Sequence, residues 1–129
     1  MWLFLLFVKK FMEKKLVKIK ESYEFRRAYA KGKCYVCPFM VVYCFKNRYN
    51  KTRLGITAGK KIGNAVKRNR AKRVITAAVR ECLPQINSGY DFIIVARQRI
   101  LSVKSNVASA ALLKLLKSAN LCSESTTNE

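Results

Sequence analysis

The chain has 129 residues, half of them apolar, and carries 27 Lys and Arg against 7 acids, a formal charge of +20 with no histidine. That length suits one domain, and fourteen aromatic residues exclude the composition of a disordered chain. A charge this large repels itself unless a polyanion offsets it, so the composition points to a nucleic-acid partner.

The first eleven residues, MWLFLLFVKKF, contain an eight-residue apolar run. A bilayer span needs about 20 apolar residues. A secretory signal carries its cations before the run, whereas Lys9 and Lys10 follow it. Residues 1–11 are expected to form an apolar N-terminal extension outside the fold, with Met12 a more ordinary start. Residues 12–119 then make a single domain, and residues 120–129 a polar disordered tail.

Ser22 is expected to cap a first helix, with Glu24 in its first turn, Phe25 and Tyr29 at i, i+4 spacing, and Gly32 as its stop. Lys33 to Val36 is a short segment that adds a strand if it pairs. Pro38 leads into FMVVYCF, residues 39–45, rich in β-branched and aromatic side chains. Asn47 to Lys51 reads as a turn, and Arg53 to Thr57 as the second strand of a hairpin. The longest helix is expected from Asn64, its cap, to about Leu83, with Pro84 just past its end. Ala71, Ile75, Ala78 and Cys82 line one side of it, beside Val74 and Val79. Asn69, Arg70, Arg73, Thr76 and Arg80 fall on the other, giving an amphipathic helix with a basic outer face. A turn at Asn87-Ser88-Gly89 precedes an apolar-cored strand, DFIIVAR, residues 91–97. Ser102 is placed to cap a last helix from about Val103 to Ala119, its leucines and alanines against the sheet. The order α-β-β(-β)-α-β-α makes an α+β fold, a two-layer α/β sandwich.

Chemistry of the protein's own is poorly provided for. Without histidine the commonest general base and metal ligand are missing. The seven scattered acids offer no cluster for a metal-dependent nuclease. Five cysteines include one C-x-x-C, Cys34 and Cys37, which has no second ligand pair for zinc and leads into a strand rather than a helix. Reduced, partly buried thiols in a reducing cytosol fit better. The charge, in contrast, is concentrated: from Phe25 to Arg80 there are sixteen Lys and Arg and no acid. Its densest part is GKKIGNAVKRNRAKR, residues 59–73. There Gly63 permits an unusual backbone angle just before a helix N-terminus, and the arginines offer planar forks that suit phosphate.

The run G-N-A-V-x-R-N-R-x-K-R resembles the signature of the bacterial ribonuclease P protein family. EFRRAYAKG, FMVVYCF, RLGIT, the Lys-Lys-x-Gly lead-in and GYDFIIVAR fall in that family's order and spacing, so the resemblance covers roughly residues 16–118. It implies an α/β sandwich with a left-handed βαβ crossover around the arginine-rich helix. It also implies a cytoplasmic protein subunit that binds a catalytic RNA 1:1 and assists removal of the 5′ leader from precursor tRNA. Catalysis would reside in the RNA with Mg²⁺, the protein supplying no catalytic residue, metal ligand or cofactor site. By matching position, Lys60, Lys61, Arg68, Asn69, Arg70, Lys72 and Arg73, with Arg80 one turn on, would meet the catalytic RNA. Phe25, Tyr29 and Tyr43 would line a cleft for the single-stranded leader. Read without the resemblance, aromatics at helical spacing are usually core. Two positions depart from the family pattern: Gly59 stands where Ser is usual, and Thr76 where another Arg is usual. The alternative reading from composition is a basic ribosomal protein or RNA chaperone without associated enzyme activity; a membrane-active cationic protein is a weaker one.

Overall fold

The most apolar segment of the chain lies at the centre of its sheet. In the computed structural model, which describes residues 16–19, 22–48, 51–87 and 89–121, five strands are ordered β1-β4-β5-β3-β2. These are β1 (Leu16–Lys18), β2 (Lys33–Val36), β3 (Met40–Lys46), β4 (Thr52–Thr57) and β5 (Tyr90–Ala96). Three α-helices accompany them: α1 (Ser22–Lys31), α2 (Ala65–Cys82) and α3 (Ser105–Ser118). Strand β5 has neighbours on both edges and side chains buried on both faces, as a near-continuous apolar run requires.

The expected hairpin between β3 and β4 does not form. Strand β5 inserts between them, antiparallel to β3 (Tyr43 opposite Ile93) and parallel to β4 (Gly55 opposite Ile93). The antiparallel partner of β3 on its other side is β2, so Lys33 to Val36 does pair. The parallel neighbours β4 and β5 are connected through α2, as a βαβ unit demands. Strand β1, three residues parallel to β4 at the sheet edge, was not foreseen; so short a strand carries no readable periodicity.

The two faces of the sheet are packed differently. Met40, Val42, Cys44, Leu54, Phe92 and Ile94 turn one way and join Ala71, Ile75, Ala78, Val79 and Cys82 of α2 and Ala108, Leu112 and Leu116 of α3 in the main core. Helix α3 lies chiefly along α2 rather than against the sheet, where its leucines and alanines were expected. The α/β sandwich itself is as expected, with α2 and α3 backing one face of the sheet. On the opposite face, α1 covers Ile93 with Ala28 and half-buried Phe25, beside Ile19, and Tyr43 and Phe45 of β3 pack against the same cluster.

Helix ends follow local chemistry. The Asn64 side-chain oxygen accepts from Lys67 N–H at 3.0 Å, capping α2 as expected. The chain then continues past Cys82 through Pro84 in a short 3₁₀ turn. Gly32 follows the end of α1 where only glycine fits, since a Cβ there would lie 2.5 Å from the Ala28 carbonyl oxygen and 2.9 Å from that of Cys44. Ser102 does not cap α3. It closes a 3₁₀ turn, Gln98–Ser102, that buries Ile100, and its hydroxyl donates to the Arg99 carbonyl, leaving α3 to begin at Ser105. At the other end Asn120 adopts φ 60°, with Asn120 N–H bonded to Lys117 O and Leu121 N–H to Leu116 O. That is a Schellman cap, and it folds Leu121 into the core, so packing passes the boundary at 119 drawn from the sequence. The N-terminal extension, Ser88 and residues 122–129, with Cys122, lie outside the described residues, as do the side chains of Ser22 and Glu24.

Candidate nucleic-acid interface

Helix α2 separates packing from charge. Its inner row is aliphatic and fully buried, and this fixes which side chains point out. Asn69, Arg70, Lys72, Arg73 and Arg80 are all exposed. Asn69, Lys72, Arg73, Thr76 and Arg80 line a shallow depression of about 860 Å³ together with Lys18 from β1. Arg70 instead faces a trough beside the start of α3, whose floor includes Val66 and Val74. Val66 is 72% exposed, unusual for an aliphatic side chain in an otherwise well-packed helix. Thr76 is occupied locally, its hydroxyl donating to the Lys72 carbonyl at 2.8 Å, so it offers no forked donor where an arginine is usual.

Arg68 differs from its neighbours. It is half-buried, and its Nε has no hydrogen-bond partner among the described residues. The lead-in to α2 is anchored by Ile62, which is buried in a 3₁₀ turn and leaves Lys60 and Lys61 exposed. Gly63 then takes φ 134°, a conformation that L side chains rarely adopt, and a Cβ there would meet the Lys67 side chain at 2.7 Å.

The three aromatics form a second group on the other face of the sheet, which meets the first at the β4 edge, where Phe25 lines a cavity of about 200 Å³ with Lys18, Lys72 and Thr76. The tip of the Phe25 ring, Cζ and Cε1, reaches the backbone of β4 at Gly55. A Cβ at Gly55 would sit 2.6 Å from the Phe25 ring, so glycine is what allows the close approach. Tyr29 and Tyr43 meet edge to face, ring centroids 4.9 Å apart at 77°. The Tyr29 hydroxyl lies 3.3 Å from the Thr57 hydroxyl, and the residue is 40% exposed. Phe25 therefore forms the wall of this flank, and the two tyrosines its open rim. Partial burial, and then the Cys34 thiol beside it, hold the Tyr43 hydroxyl above its ordinary range. It stays protonated, and a donor, at any physiological pH.

Sequence reasoning assigned Cys34 no place in this group. The β2–β3 register sets it opposite Tyr43, exposed at the same rim, and only the strand pairing reveals that. Cys44 and Cys82 belong to the core. Burial first, and then Asp91, push the Cys44 thiol up to about 12 against an opposing effect of Lys33. Burial also raises Cys82, although its hydrogen bond to Ser109 works the other way. Among the described residues no three His, Cys, Asp or Glu side chains converge as a metal-ligand group. No helix there is long and apolar enough to cross a membrane.

A basic, capped helix on one side of a mixed sheet and an aromatic flank on the other is the arrangement the sequence resemblance implies. The family model described as Ribonuclease P matches residues 12–120. The chain belongs to the ribonuclease P protein family. It is 37% identical over 105 residues to the ribonuclease P protein component of Thermoanaerobacter sp. strain X514, covering 81% of this chain and 90% of that one. With the component from Clostridium botulinum strain 657 the identity is 39%, over 81% and 95% of the two chains. Among solved structures, the Staphylococcus aureus RNase P protein superposes with a TM-score of 0.73 at 34% identity, over 84% of this chain and all of the other. The Thermotoga maritima RNase P protein gives 0.71 at 28%, over 78% and 96%. Family membership makes this chain a protein component of ribonuclease P, a tRNA-processing ribonucleoprotein with endoribonuclease activity, and a partner of its RNA.

Proposed function

We propose that this chain holds the catalytic RNA on one surface and the 5′ leader of precursor tRNA on another, assisting endonucleolytic removal of the leader in the cytoplasm. In this reading Lys60, Lys61, Arg68, Asn69, Arg70, Lys72, Arg73 and Arg80 make phosphate and ribose contacts to the RNA subunit. Phe25, Tyr29 and Tyr43 form a stacking surface for unpaired leader bases, at about 1–3 kcal/mol per stacked base and without demanding a sequence. The observation that supports the reading is that the basic row of α2 and the aromatics pack on opposite faces of one sheet and meet only at its β4 edge, where Phe25 and Lys72 line one small cavity. One subunit, bound 1:1 with the RNA, then reaches two RNA elements at once.

Cleavage is assigned to the RNA subunit with its Mg²⁺ ions. The protein's residues bind and orient, and no step is assigned to a protein acid or base. The test is reconstitution. Purified protein added to a bacterial ribonuclease P RNA at low Mg²⁺ is expected to stimulate precursor-tRNA cleavage, while nuclease-free protein alone leaves precursor tRNA intact. Specific cleavage by the protein alone overturns the assignment of catalysis.

A further inference from the structure

Helix α1 has a second flank, and it is cationic. The helical period sets Tyr23, Arg27 and Lys31 at i, i+4 and i+8 on the side away from Tyr29. That side faces the opposite end of the strands, where Phe45 and Lys46 close β3, Arg48 follows it, and Arg53 lies in β4. Together with Asn47 and Asp91 they enclose a cavity of about 510 Å³. Among the described residues five cations line it against a single carboxylate.

That carboxylate is already committed. Asp91 is 7% exposed, accepts from the Asn47 side-chain amide at 2.7 Å and lies 3.6 Å from Arg53 Nε. It fixes the floor of the cavity rather than neutralising its rim. Arg27, Lys31, Lys46 and Arg48 are exposed and make no hydrogen bond or ion pair among the described residues. Cations gathered from a helix and a strand end repel one another unless an anion sits between them.

We infer that this cavity is a seat for a backbone phosphate of single-stranded RNA, separate from both the α2 face and the Tyr29–Tyr43 rim. Arg27 and Arg48 supply forked donors and Lys31 and Lys46 point charges, a mixture suited to a phosphodiester. Tyr23, 54% exposed, and half-buried Phe45 place aromatic rings beside those charges. Cations interleaved with aromatics are the pattern of strand binding without sequence readout.

The test uses the full chain and a short single-stranded oligouridylate, with binding followed by fluorescence anisotropy across a salt series. The double variant Arg27→Ala/Arg48→Ala is compared with Lys114→Ala/Lys117→Ala, which removes the same charge from exposed positions on α3. All four side chains are exposed, so both variants are expected to melt like the parent. Loss of two seated contacts is expected to weaken binding roughly tenfold or more and to lower the salt slope by about 1.4. The α3 variant is expected to change neither appreciably. Arg27→Lys/Arg48→Lys keeps the charge and is expected to recover most of the slope but only part of the affinity. Equal losses in the cavity and α3 variants, or none in either, overturn the seat and leave only the general field of a +20 chain. Because the readout is free protein with an oligonucleotide, it fails independently of the leader reading, which stands or falls on the holoenzyme.

Discussion

Helices α2 and α1 both carry candidate RNA-binding side chains, but they relate packing to binding in different ways. In α2 the buried row (Ala71, Ile75, Ala78, Cys82) and the basic row (Asn69, Arg70, Arg73, Arg80) lie on opposite sides of eighteen residues backed by the main core. In α1, ten residues long, Phe25 and Tyr29 both line the flank, Phe25 packing onto the smaller cluster and Tyr29 edge to face on Tyr43. A surface whose binding groups carry no packing can be altered one residue at a time. A surface built of half-buried aromatics cannot, because the ring that would stack on a base also covers Ile93.

The largest expected effect tests whether the exposed row of α2 is a binding surface at all. With six or more phosphate contacts, affinity of the chain for the RNA subunit should fall on the order of a thousandfold between 50 and 200 mM salt. A nearly flat salt dependence reduces that row to a solvated face. Next, Ile75→Ala, at a fully buried position of α2, should cost about 2–5 kcal/mol in urea unfolding. Arg70→Ala should change stability by less than about 0.5 kcal/mol while weakening holoenzyme assembly equally for every substrate. If Arg70→Ala destabilises like a core truncation, the separation drawn for α2 is broken.

The other side of the comparison is sharpened by a smaller pair. Gly55→Ala places a methyl within 2.6 Å of the Phe25 ring and should cost about 1–3 kcal/mol through overpacking, read as a shift in the melting curve. Tyr43→Ala and Phe25→Ala should lower the ratio of precursor to mature tRNA affinity in the reconstituted holoenzyme, with Phe25→Ala also losing stability. An unchanged ratio in folded variants of both would make these rings core alone. The smallest effect is Asn64→Ala, which removes the cap of α2 and should cost about 1 kcal/mol, measured by thermal melting. It should leave the precursor-to-mature ratio untouched.

How much was legible follows from how local each feature is. The cap at Asn64, the buried row of α2 and the need for glycine at position 63 depend on residues within a turn or two of one another, and all appear in the structure as the sequence implied. The hairpin from β3 to β4 did not, since a run of β-branched residues declares a strand and not its neighbour. Ser102 illustrates a subtler limit. It has the chemistry of a cap, but burying Ile100 in the preceding 3₁₀ turn moved the helix start to Ser105. Leu121 was assigned to the tail because its environment depends on Asn120 adopting positive φ, which nothing nearby demands.

By itself the sequence determined the family, the mixed α/β composition of the fold, the polyanion-seeking charge and the row of α2 that carries it. Each of these is fixed by residue type and by a period of three to four. Only the tertiary structure decided that β5 lies between β3 and β4. With that, Gly55, Ile93 and Tyr43 lie side by side beneath Phe25 and Tyr29. It also decided that α1 divides its face of the sheet into an aromatic flank and a cationic one, bringing Arg27 of a helix to Arg53 of a distant strand and to Arg48 just past the end of another. The reason is the same in both cases: which strand pairs with which is settled by packing across the whole chain, and no local period records it.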